Sequence, residues 1–521
     1  MRRNAHHLNS PFVHGQIALR AAPVNAAAER PHGAYVLYWM QATHRFEENW
    51  ALRLATLAAN RVGKPLLVYQ GLDPTYEHAS DRIHSFIIEN ARELASRADR
   101  VGLAYRFHLR RRRNDDRRVV DRLAARAVTV VTDAFPTAGI AERTARFADR
   151  VECRVVAVDS HGIAPAASFE KEEWAARTIR PKLAAIRDHC LERVRDEPPR
   201  VAMPLRLLRD LELDALDFDR ADIAREVAAC EIDHTVPRVT AIASGLTAAR
   251  ARLKSFCRDA LADYDERRSD PTDANGSSRL SPYLHFGQVS AAEVARTAIE
   301  AGPADAVAKF LDELVTWREL SLNFCTRNPK FGSLRALPPW VHETMRQHVK
   351  DEREHRYSLG ELERGETDYP LWNAAQRELV ETGTIHNVMR MYWGKSVILW
   401  TKTYRDAFDH LVHLNNKWGL DGRDPSSYGG IQWCFGKFDR PWGERPVWGT
   451  IRSMSIPRAY KKFDATGYER RWLGEGEAQG TPGVQGADPA REKRPLATFD
   501  KRLLAAFPGI AARPASLLRK R

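Results

Sequence analysis

The chain has 521 residues, 43% of them hydrophobic and 29% charged, with a formal net charge of +13. That length exceeds one ordinary core and points to two or three domains, while the lack of any apolar run of about 18 residues argues against a membrane span. The basic excess favours a polyanionic partner such as nucleic acid, and six scattered cysteines without a CxxC pair do not resemble a zinc or iron–sulfur set and fit a reducing cytosol.

The first thirty residues are rich in Ala, Arg and His and hold one acid, Glu29. A transit peptide has that composition. Because Ala and Arg are abundant along the whole chain, residues 1–33 read instead as a disordered extension. From Tyr35 the pattern alternates between strand and helix. Tyr35-Val-Leu-Tyr-Trp39, Pro65-Leu-Leu-Val-Tyr69, Val128-Thr-Val-Val131 and Val155-Val-Ala-Val158 read as buried strands, with helices over about 46–61 and 81–97 between them. Residues 34–165 are therefore expected to form a parallel sheet covered by helices. The first strand runs into Met40-Gln-Ala-Thr-His-Arg45, which lacks the GxGxxG of a dinucleotide-binding turn. Arg110–Arg113 with Arg117 and Arg118 reads as a charged loop. Residues 166–245, broken by Pro198, Pro199, Pro204 and Pro237, read as a connector.

From about Leu246 to 472 the pattern is persistently helical. Ser290-Ala-Ala-Glu293 has the form of a capping box, and its helix should end at Gly302-Pro303. Further helices are predicted over 307–325, 371–381, 385–402 and 404–414. Residues 473–521 read as a basic tail with little fixed structure. Ten of the thirteen tryptophans lie between Trp317 and Trp472. Trp393 and Trp400, seven apart, share a helical face about 10 Å apart along the axis, which suits either core packing or electron transfer. Ser277-Ser-Arg-Leu-Ser281 offers hydroxyls, a guanidinium and a helix start, chemistry that suits a phosphate or a plain N-cap.

The segment Ser277-Ser-Arg-Leu-Ser-Pro-Tyr-Leu-His-Phe-Gly-Gln288 closely resembles the FAD-phosphate segment of the photolyase–cryptochrome family. Its class II cyclobutane pyrimidine dimer (CPD) photolyases are resembled further by Tyr38-Trp-Met-Gln41, Trp174-Ala-Ala-Arg-Thr-Ile-Arg-Pro181, Leu371-Trp-Asn-Ala-Ala-Gln376, Arg390-Met-Tyr-Trp393, Leu420-Asp-Gly-Arg-Asp-Pro425 and Trp442-Gly-Glu-Arg445. These segments occur in family order over nearly the whole chain. The resemblance implies an α/β, Rossmann-like first domain and an all-α, FAD-binding second domain. It also implies light-driven splitting of CPDs in double-stranded DNA by electron transfer from excited, reduced, anionic FAD. The alternative on the same fold is a cryptochrome-like blue-light receptor.

By resemblance, Tyr264, Ser277, Ser278, Leu280, Ser281 and Gln288 contact the FAD phosphates and ribityl chain. Arg318, Asn387 and Asp421 lie near the flavin ring, and Asn415 faces its N5. Glu313, Trp317, Met391 and Trp433 form the lesion pocket, with Glu313 bonding the C4 carbonyls of the dimer. Trp393, Trp372 and Trp400 match the relay that re-reduces the flavin, and Arg268, Arg423 and Arg445 are implied DNA contacts. Ser269 stands where class II members usually have Asn. A second antenna chromophore, deazaflavin or folate, is compatible with the family, and no metal is expected. A cytoplasmic monomer without membrane attachment is expected, with import into an organelle left open.

Overall fold

The computed structural model describes residues 5–353, 355–454 and 460–474. They fall into two compact units, one of Met1–Glu170, His189–Arg252 and Leu280–Val294, the other of Lys171–Asp188, Leu253–Arg279 and Ala295–Arg521. The expected connector is thus divided: Ala176–Cys190 is a helix assigned almost wholly to the second unit, whereas most of 191–245 packs with the first.

The first unit is built on a six-stranded sheet of order β1-β6-β5-β2-β3-β4. Its strands are β1 (Ala21–Pro23), β2 (Tyr35–Met40), β3 (Leu66–Leu72), β4 (Ala104–Leu109), β5 (Ala127–Asp133) and β6 (Arg154–Val158). All neighbours are parallel except β1 and β6. Every residue of β2 and β5 is buried, as parallel strands covered on both faces require. The edge strand β4 alternates buried and half-buried residues, and its polar half hid it from a search for apolar runs.

The extension is a correction. Pro11–Arg20 is a helix capped by Ser10, whose Oγ accepts from Val13 N, and β1 follows it. Its anchor combines Val13 and Ile17, buried four residues apart, with buried Arg20, which donates to the carbonyls of Asp159, Gly162 and Ile163. One apolar pair in a short Ala- and Arg-rich stretch is a weak signal of such a tether. The tail at 475–521 lies outside the described residues.

At the carboxyl ends of β2 and β5, where the strand order reverses, the usual phosphate position is filled from within. The Asp133 carboxylate accepts from the amides of Gln41, Ala42 and Thr43 at 2.8, 2.8 and 3.0 Å and from Tyr38 OH at 2.9 Å. A carboxylate takes the place that a glycine-rich turn gives to a pyrophosphate.

Among its described residues the second unit is helical and holds no strand. Ala304–Leu311, a π-turn over Asp312–Trp317, and Arg318–Arg327 run on continuously. Pro370–Thr382 begins on a proline, where a missing N–H costs nothing, and ends on Gly383. Asn387–Trp400, Tyr404–Trp418 and Pro425–Cys434 follow, the last two capped by Thr403 and Asp424. Their core includes the fully buried Trp372, Trp393 and Trp400. Ser290 caps its helix through Ala292 N, as predicted, but Glu293 binds Arg250 instead of reaching back. All six cysteines are free.

Candidate active site

The π-turn places Glu313 and Trp317, both half-buried, on one stretch of backbone. A π-turn inserts one residue per turn and re-aims side chains without breaking the helix. Its start is fixed by Asp312, whose buried carboxylate takes a bidentate pair from Arg180 at 2.8 and 2.9 Å. Glu313 itself accepts from Arg268 at 2.6 Å. Burial pushes the Glu313 carboxyl above its ordinary range, and the Arg268 guanidinium pulls against that rise. Arg268 also stands 5.7 Å from the Tyr264 ring. Tyr264 is buried edge-on against Phe256 and Phe310, at 5.7 and 5.4 Å.

A second polar group gathers on three segments. Arg390 donates to both Asp421 oxygens at 3.0 Å and to Asn415 Oδ1 at 3.0 Å. Asn415 passes a bond to Asn416, which receives Arg423 N. The chain can turn here because residue 422 is glycine: a Cβ would fall 2.7 Å from Asn415 O. Arg318 pairs with Asp424 at 3.8 Å, and Asn387 is exposed at its helix start. Arg390, the link between Asn415 and Asp421, escaped the sequence reading, since nothing in spacing joins residues thirty positions apart. Arg423 is 8% exposed with φ +66°, a placement that does not suit the DNA contact expected of it, whereas Arg445 is exposed in a tight turn.

The phosphate-like run is divided at its centre. Ser277 and Ser278 are half-buried in the second unit, and Arg279 follows at φ +51°. Arg279 lies 3.8 Å from Glu378, which also accepts from Tyr468 OH at 2.6 Å and His386 N at 3.3 Å. Burial and the Arg279 charge bring His386 down to about 4. Arg279 Nε and His386 Nε2 are buried without a hydrogen-bond partner. Unused donors beside two hydroxyls fit the phosphates of a nucleotide cofactor. Leu280, Ser281 and Gln288 belong to the first unit. Leu280 is buried and Ser281 exposed, while the Gln288 amide is spent on Gly245 N and Ser244 Oγ at 2.8 and 2.9 Å.

Three indoles form a column. The Trp393 and Trp372 rings have centroids 6.2 Å apart at 5°, and Trp372 meets Trp400 at 5.9 Å and 73°. Tyr369 stacks on Trp400 at 4.5 Å, with Tyr357 edge-on at 5.4 Å. Trp393 donates to Gln376 and Trp372 to the Trp393 carbonyl, which locks both rings. Met391 and Trp433 are half-buried nearby in sequence to this column and to Cys434, respectively. Among the described residues no cluster of three or more His, Cys, Asp or Glu could hold a metal, and no helix is long and apolar enough to cross a membrane.

Comparison with known proteins bears on this arrangement. Residues 36–202 match the family described as DNA photolyase, and residues 310–496 match the FAD binding domain of DNA photolyase. A deoxyribodipyrimidine photo-lyase of Methanothermobacter thermautotrophicus is 37% identical over 86% of this chain and 97% of its own. One of Arabidopsis thaliana is 36% identical over 83% and 88%. Among solved structures, a class III photolyase of Agrobacterium tumefaciens covers 94% of this chain and 100% of its own, with TM-score 0.61 and 20% identity. A Synechocystis cryptochrome covers 86% and 90%, with TM-score 0.64 and 17% identity. At those identities the two structures speak for the fold alone.

Proposed function

The chain belongs to the DNA photolyase family, and on that premise we propose that it splits cyclobutane pyrimidine dimers in DNA under blue light, with FAD as cofactor. Bound and reduced, FAD would supply light-driven one-electron chemistry toward the dimer. Ser277, Ser278, Arg279 and His386 would hold its phosphates. Arg390, Asp421 and Asn415, with Arg318 and Asn387, would line its ring system.

The protein's own work is recognition. A damaged dinucleotide stacks poorly, so flipping it from the duplex costs only about a few kcal/mol, as for photolyases generally. Trp317 and Trp433 pack on the flipped bases, and Met391 fills the space left between them. Arg268 exchanges Glu313 for a DNA phosphate. The carboxyl left behind is one that burial already favours in protonated form, so it can donate to a C4 carbonyl of the dimer. Trp393, Trp372 and Trp400 pass an electron inward as the hole moves outward.

The observation that carries this reading is the Arg268–Glu313 pair on the turn that bears Trp317. It brings together a cation for phosphate, a group for a base edge and an indole for a base face. Thymines restored from a defined dimer in light and not in darkness support the reading. A reduced, flavin-loaded protein that leaves the dimer intact in both conditions favours a light sensor.

A further inference from the structure

Lys395 is a buried ammonium that neither the lesion residues nor the indole column uses. It follows Trp393 by two residues and is 2% exposed. Its Nζ donates to Cys434 O at 2.9 Å and Arg452 O at 2.6 Å. The same Nζ stands 5.0 Å from the centroid of Trp433 and 5.1 Å from that of Trp448. Arg452 adds a second cation 5.7 Å from Trp433. The helices carrying Lys395 and Trp433 cross closely because residue 394 is glycine, where a Cβ would fall 2.9 Å from Cys434 Sγ.

The column indoles differ in kind. Trp393 and Trp372 make neutral hydrogen bonds, and no cation lies over Trp372, Trp393 or Trp400 among the described residues. A cation on an indole face is attracted by the neutral ring and repelled by the radical cation that forms when an electron leaves. Burial strengthens that repulsion, since little solvent screens it.

We propose that Lys395 is a positioning and selectivity residue for electron transfer: its charge keeps the hole on Trp393, Trp372 and Trp400 and off Trp433. The proposal rests on the roles given above to those indoles. In the step concerned Trp393 loses one electron to the photo-excited cofactor, Trp372 and then Trp400 refill it, and an added thiol supplies the final electron. An unprotected Trp433 would offer a competing donor inside the lesion pocket, where a hole has no onward path along the column.

The charge has a pH window of its own. Burial brings Lys395 down to about 8; Asp439 works against that fall and Arg452 adds to it. Cys434, pushed up to about 11 by burial, stays neutral through that window.

Two experiments test the proposal. The first needs no cofactor: azide radicals oxidise the protein, and mass spectrometry reads the ratio of oxidised Trp433 to oxidised Trp317. The ratio should rise roughly tenfold in Lys395→Met and stay native in Lys395→Arg. In the native protein it should rise between pH 7 and 9.5, a measurement that stands if Lys395→Met does not fold. A flat ratio in both the folded variant and the pH series overturns the proposal. The second uses FAD-loaded protein under blue light with thiol. Trp393→Phe should lose photoreduction, Trp393→Phe/Lys395→Met should regain it, and adding Trp433→Phe should abolish the gain. If Trp393→Phe alone photoreduces normally, the column reading fails and the proposal with it. If that variant is inactive and Lys395→Met restores nothing, the Lys395 assignment alone fails.

Discussion

Arg268 and Glu313 form an ion pair of 2.6 Å at the start of the turn that carries Trp317. On the reading proposed above, DNA binding exchanges this pair for a contact of Arg268 with a DNA phosphate. Glu313→Ala should keep FAD and lower the dimers repaired per absorbed photon by about tenfold, the effect of one lost hydrogen bond to a carbonyl. Quantum yields of the reduced proteins on a defined duplex check this, and a native yield would remove the carboxyl from the mechanism.

Arg390 bonds both Asn415 and Asp421 and so ties the two together. Arg390→Met leaves Asp421, 7% exposed, without its cation. Removing one partner of a buried pair costs about 3–5 kcal/mol. The denaturation midpoint of the second unit should fall accordingly, and flavin retention with it. An unchanged midpoint would show the pair to be worth little.

Two histidines are held neutral by burial, His44 in the first unit and His386 in the second, each brought down to about 4. The unfolded chain protonates them near 6.5 and the folded chain only near 4, so the unfolded state binds more protons in between. Stability is therefore present above 6.5 and is lost as pH falls toward 4, by at most ~3 kcal/mol for each group. In flavin-free protein His386→Gln should flatten this loss for the second unit's transition and leave the first unit's unchanged. A loss of stability with native slope in the variant would contradict it.

Trp393→Phe should stop photoreduction of oxidised flavin, whereas chemically reduced variant should repair at native yield. Trp400→Phe should slow photoreduction less, because Trp393 and Trp372 remain stacked at 6.2 Å. Transient absorption after a flash separates the two, and equal photoreduction in native protein and Trp393→Phe would exclude the column.

Legibility in the sequence followed the kind of force involved. Strands β2, β3 and β5 were legible because burial on both faces makes an apolar run, and β6 because Val155-Val-Ala-Val158 is apolar although only Val155 and Val158 are fully buried. Strand β4 was not, because an edge strand with polar neighbours has no such run, and the Pro11–Arg20 helix was not, because its apolar signal is one pair, Val13 and Ile17, while buried Gln16 and Arg20 complete its inner face. At the site, Trp393 and Trp400 were visible at helical spacing, but Trp372 enters between them from another helix and came only through resemblance. The π-turn leaves Glu313 and Trp317 four apart, as any helix would, so the extra residue is invisible until the backbone is seen. Arg180 with Asp312 and Arg390 with Asp421 are partners far apart in sequence, which no period records. The Gln288 amide, expected at the cofactor, bonds inside the first unit instead.

The most direct test of the central claim counts electrons. Fully reduced protein, freed of excess reductant and kept without oxygen, would be illuminated with excess DNA bearing a defined thymine dimer, and restored thymines counted against the reducing equivalents supplied. An electron that returns after each ring opening predicts many dimers repaired per equivalent in light and none in darkness. One dimer per equivalent, or none, would contradict it.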